Sequence, residues 1–103
     1  MLEKSNLLTN IGRDLSTLEL GECLDIRSYK RNRSIVICRE KNNEFLLIEN
    51  GFDLLEFKGD KSYILKQLKR AIKREFPRSN KVRIYRDGIT DPHSLSQLRR
   101  KKI

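Results

Sequence analysis

At 103 residues, with 37% hydrophobic and 36% charged side chains, the chain has room for one domain with a modest core, and its clustered apolar residues exclude general disorder. It contains no apolar run of about 18 residues, which excludes a membrane-spanning helix. The formal net charge of +9 is unevenly placed: residues 1–60 hold 9 Lys and Arg against 11 Asp and Glu, a net of −2, and residues 61–103 hold 14 against 3, a net of +11.

Such a field draws polyanions: nucleic acid, an anionic membrane surface or an acidic protein. The opening MLEKSNLL lacks the basic-then-apolar pattern of a secretory signal. Cys23 and Cys38 show no metal spacing and fit a reducing compartment, so cytoplasmic residence is the default expectation.

In chain order, Ser5 to Leu18 reads as a helix, with Ser5 as cap and Leu7, Leu8, Ile11, Leu15 and Leu18 at helical spacing. Gly12 inside it costs about 1 kcal/mol relative to alanine. Gly21 breaks the helix. Four strands follow, Glu22–Lys30, Ser34–Lys41, Glu44–Glu49 and Phe52–Lys58, separated by short turns at 31–33, Asn42-Asn43 and Asn50-Gly51. Short turns between neighbours predict an antiparallel meander.

Asp60 then caps a helix over Lys61–Phe76, which ends before Pro77. Its apolar residues Ile64, Leu65, Leu68, Ala71, Ile72 and Phe76 fall within an arc of about 140°. Lys66, Lys69, Arg70, Lys73 and Arg74 fill the opposite side. A fifth strand is expected over Lys81–Arg86, followed by a turn at Asp87-Gly88. A short helix capped by Asp91-Pro92 is expected to run through Leu95 and Leu98. The predicted order is α-β-β-β-β-α-β-α, an α+β fold with a mainly antiparallel sheet of about five strands. One domain covers residues 1–98, and 99–103 form a basic, disordered tail.

Simple turns predict that one sheet face carries Leu24, Ile26, Val36, Cys38, Phe45, Leu47, Phe52 and Leu54. The other carries Ile35, Ile37, Leu46, Ile48, Leu55 and Phe57. Both faces are apolar in the middle and need cover. The central helix is expected on one, and the N-terminal helix or a second copy of the chain on the other. This register places Cys38 opposite Ile26 and Cys23 opposite Lys41, too far apart to bond. The fifth strand is expected beside the first, antiparallel, which brings Arg27, Tyr29 and Arg31 near Arg83 and Tyr85.

The residues offer one main constellation for function. Lys66, Lys69, Arg70, Lys73 and Arg74 on the helix, with Arg78, Lys81, Arg83 and Arg86 after it, form a basic surface. Tyr63 lies on the helix, and Tyr29 and Tyr85 on the sheet. Cations neutralise phosphates, and a tyrosine stacks on an unpaired base. The helix stripe faces away from the sheet, so it need not be continuous with the sheet tyrosines. His93, the single histidine, has no nucleophile pattern around it, and the scattered glycines form no phosphate loop.

The expected function is therefore a small, non-enzymatic nucleic-acid-binding protein, with Tyr85 beside the basic residues, no catalytic or metal residues and no cofactor. The alternative is an assembly subunit in which an apolar sheet face forms a homodimer and the basic half meets an acidic protein. A histidine-dependent ribonuclease is the distant third.

Overall fold

The computed structural model describes residues 2–3, 7–28, 34–50, 54–75, 81–89 and 91–92. In chain order they form β1 (Leu2–Glu3), α1 (Leu7–Thr17), β2 (Glu22–Ser28), β3 (Ser34–Lys41), β4 (Glu44–Asn50), β5 (Leu54–Gly59), α2 (Lys61–Glu75) and β6 (Lys81–Ile89). The strands make a six-stranded sheet of order β1-β6-β2-β3-β4-β5. Every pairing is antiparallel. The class is α+β, and the strand after the central helix joins the sheet beside β2. Arg27 stands opposite Arg83 there, and Asp25 opposite Tyr85. The two-residue β1, which pairs with the start of β6, is an element too short for a periodicity to reveal.

Residues 93–103, with most of the expected final helix and the basic tail, lie outside the described residues, as do Ser5, Tyr29, Arg31, Phe76 and Arg78. Asp87-Gly88, expected as a turn, lies inside β6. The ladder there passes from Cys23↔Asp87 to Glu22↔Ile89, so Gly88 is the extra residue of a bulge and the strand continues.

Both helices lie on one face of the sheet, which corrects the expectation that they take opposite faces. Leu7, Ile11, Leu15 and Leu18 of the first helical segment join Ile64, Leu68, Ala71 and Ile72 of α2 in a single core. Beneath them the sheet contributes Leu24, Ile26, Ile35, Ile37, Phe45, Leu47 and Val82. The helices run antiparallel. Lys61 Nζ donates to Ser16 Oγ at 2.6 Å at one end, and Leu8 meets Ile72 and Lys69 around a depression at the other. Between these points Gly12 faces Leu65, whose Cδ1 would lie 3.6 Å from a Cβ added to the glycine. Arg39 ties this layer to the sheet, donating to the Leu18 carbonyl at 2.6 Å.

The strand registers differ from the simple-turn expectation at all three hairpins. Between β2 and β3 the register shifts by three: Ile26 pairs with Ile35 rather than Cys38. Between β3 and β4 a bulge between Arg39 and Lys41 moves Cys38 opposite Leu46. Between β4 and β5, Leu47 pairs with Phe57 rather than Leu54. Each shift is by an odd number of residues, so each exchanges the faces of one strand relative to its neighbour.

One consequence concerns the cysteines. Cys23 stands directly opposite Cys38, and the two form a disulfide with Cα atoms 4.1 Å apart. The expectation of two separated thiols is overturned, and so is the support that it lent to a reducing compartment. Cys23, Cys38, Val36, Leu46 and Ile48 make a second buried cluster on the face opposite the helices. The same face carries the ion pair of Arg27 with Asp25, both buried, with Nε 3.1 and 2.9 Å from the carboxylate oxygens.

Candidate nucleic-acid interface

α2 forms because its cap and its periodicity agree. The Asp60 carboxylate accepts from the Tyr63 amide at 2.9 Å, and the Asp60 carbonyl accepts from the Ile64 amide at 2.9 Å. These contacts satisfy two amides of the first turn, and the carboxylate also suits the positive end of the helix dipole. The last turn carries Lys73 and Arg74, where cations suit the negative end. Burial of Ile64, Leu68, Ala71 and Ile72 then fixes which side faces water.

The exposed positions of α2 are Ser62, Tyr63, Lys66, Lys69, Arg70 and Lys73. None is acidic. Among the described residues, none of these four cations makes an ion pair. At a rise of about 1.5 Å per residue, Lys66 and Lys73 are about 10 Å apart along the axis. Lys69 and Lys73 border the depression at the α1 junction, about 130 Å³ in volume, with Leu8 and Ile72 as its apolar walls. α1 contributes the exposed cation Arg13 to the helix layer.

The other basic residues separate from this stripe. Arg74 turns toward the sheet and holds the buried Glu49 with both ends of its guanidinium, Nη2 to Oε1 at 2.6 Å and Nε to Oε2 at 3.2 Å. Arg86 lies on the helix side of the sheet. Its guanidinium donates to the Glu22 carboxylate at 2.9 and 3.2 Å and to the Thr17 hydroxyl and carbonyl, each at 2.9 Å. It thus closes the C-terminal end of α1. Arg83 and Tyr85 share the opposite face of the sheet with Arg27 and Asp25 and are partly buried. Lys81 opens β6 opposite Glu3. Of the basic candidates whose side chains are described, the structure gathers Lys66, Lys69, Arg70 and Lys73 on one helix face, and it turns Arg74, Arg83 and Arg86 elsewhere.

A lone acid inside the apolar run Phe45–Ile48–Glu49 was the available signal for Arg74, since a buried carboxylate needs a partner. The signal does not say which arginine answers it.

Glu49 also has an electrostatic consequence. Burial pushes its carboxyl above the ordinary glutamate range, and a hydrogen bond with Glu75 adds to that, while Arg74 pulls the other way. The folded chain thus holds a proton that the unfolded chain releases, so this site's contribution to stability is full in acid and is lost as pH rises through the raised value. Glu22 behaves oppositely. Arg86 holds it below the ordinary range, so its contribution is present above that range and lost as pH falls. Urea unfolding of wild type and E49Q across mildly acidic to neutral pH separates the two. The stability difference, wild type minus E49Q, is expected to decline with rising pH. A difference that grows with pH contradicts the assignment.

Among the described residues, no cluster of three or more His, Cys, Asp or Glu could hold a metal ion, and no helix is long and apolar enough to cross a membrane. No protein-family model, curated protein or solved structure matches the chain.

Proposed function

We propose that the chain binds nucleic acid through the outer face of α2, without catalysing a reaction on it. One observation carries this reading: four cations, Lys66, Lys69, Arg70 and Lys73, share one exposed helix face that holds no carboxylate. A cation that makes no ion pair among the described residues is free to neutralise a phosphate and release its counterion, so the free energy of contact is not spent in breaking such a pair. Arg74 and Arg86 do not meet this condition, because each already holds a carboxylate. They are therefore removed from the contact set. Arg83 and Tyr85 lie on the sheet face opposite the helices, apart from the stripe.

The alternative, a homodimer through an apolar sheet face, loses its main support. Cys23, Val36, Cys38, Leu46 and Ile48 are already buried in the single chain.

Four phosphate contacts predict a slope of log K against log salt of about −3.6 on duplex, and about −2.8 on a single strand. Fluorescence anisotropy with labelled oligonucleotides at several salt concentrations measures it. Micromolar protein that shows no salt-sensitive binding to any oligonucleotide rules the reading out.

A further inference from the structure

We infer that the α2 surface is built for unpaired nucleotides, with Tyr63 as the platform on which a base stacks. This inference rests on the proposed nucleic-acid reading and narrows it to a single-stranded polynucleotide.

Tyr63 is an exposed aromatic at the head of the cation stripe, with 41% of its surface open to solvent. Its position is fixed from two sides. Its amide is held by the Asp60 carboxylate at 2.9 Å. Its ring lies against the end of β5, so close that a Cβ added to Gly59 would sit 2.5 Å from Cδ2 and 3.1 Å from Cγ. Only glycine at 59 permits that approach. A ring seated on backbone has little rotamer freedom left to lose when a base arrives, which removes a usual cost of binding.

The stripe is spaced to receive the strand that leaves the ring. Tyr63, Lys66, Arg70 and Lys73 recur at three, four and three residues, so they form one row along the helix. Their rise along the axis is about 4.5, 10.5 and 15 Å from the tyrosine. A base stacked on Tyr63 would leave its backbone to run along the three cations. Every base has a π-face, so such a site tolerates sequence, and the cations add the charge term. A duplex already stacks its bases internally and offers no free face to the ring.

The test compares the full chain with Y63L and Y63F on four probes at one salt concentration. These are oligouridylate, oligothymidylate, an abasic deoxyribose-phosphate strand and a duplex of equal length. Y63L is expected to weaken binding of both base-bearing single strands about tenfold or more, with the abasic strand and the duplex unaffected. Y63F, which keeps the ring, is expected to match the parent. Equal losses on all four probes would overturn the inference, because the substitution would then act through the fold or the charge. So would unchanged single-strand binding in a Y63L protein whose unfolding midpoint matches the parent. In both of those cases the parent still binds in a salt-dependent way and the nucleic-acid reading stands. If the parent binds no probe, that reading falls and the stacking inference falls with it.

Discussion

Replacing Asp25 with alanine is expected to lower the unfolding free energy by about 3–5 kcal/mol. Asp25 is wholly buried and Arg27 is 3% exposed, and they are bound Nε to both carboxylate oxygens. Their neighbours on that face make the loss severe. Arg27 stands opposite Arg83 in the ladder, and like charges opposite one another repel. The apolar cluster of Cys23, Val36, Cys38, Leu46 and Ile48 shares the face. Removing the carboxylate takes from the buried Arg27 the ion pair with Asp25 at a position opposite Arg83 in the ladder. A domain of this size has only about 5–15 kcal/mol of net stability, so the variant should lose a large share of it. Urea unfolding measures the change. The double variant D25A/R27M, which removes both charges, is expected to recover much of the loss. A single variant within about 0.5 kcal/mol of the parent, the range of an ordinary surface change, contradicts the account.

The second large effect concerns the Cys23–Cys38 disulfide. The bond joins residues 15 apart in sequence. In the chain-entropy description, closing a loop of that length restrains the unfolded chain by about 3 kcal/mol. Reduction should therefore lower the unfolding free energy by about that amount, with the fold retained, because the β2–β3 ladder and the cluster around the sulfurs persist. The C23A/C38A variant should show a similar loss, and it should be insensitive to reductant. Denaturant curves with and without dithiothreitol, paired with thiol titration, check both. Titratable thiols appearing with no change in midpoint would mean that the link does not restrain the unfolded chain.

These two cases also show where the amino-acid pattern runs out. The cap at Asp60, the apolar side of α2 and the antiparallel meander were legible because each has one solution that satisfies it. The strand registers were not. Ile35-Val36-Ile37 and Phe45 to Ile48 are apolar at consecutive positions, so sliding a strand by an odd step still places apolar side chains on both faces. The turns alone were left to choose the register. A bulge near Arg39 and longer offsets at the other two hairpins changed the choice. The disulfide was hidden by the same slip. Likewise, a basic side chain's type says nothing of whether the fold already uses it. Arg74 and Lys73 are adjacent, yet one holds Glu49 and the other faces water. Only the tertiary partner separates a structural cation from an available one.

Along α2, Lys66, Lys69, Arg70 and Lys73 share the exposed face and make no ion pair among the described residues, whereas Arg74 and Arg86 each hold a carboxylate. In the proposed function these four cations carry the contact with nucleic acid. The direct test is the salt dependence of single-strand binding for the parent and for K66Q/K69Q/R70Q/K73Q. The parent slope is expected to be about −2.8 and to fall to near zero in the variant, with the unfolding midpoint little changed, since all four side chains are exposed. A variant that keeps the parent's slope would place the contact elsewhere on the molecule and rule out the α2 stripe as its carrier.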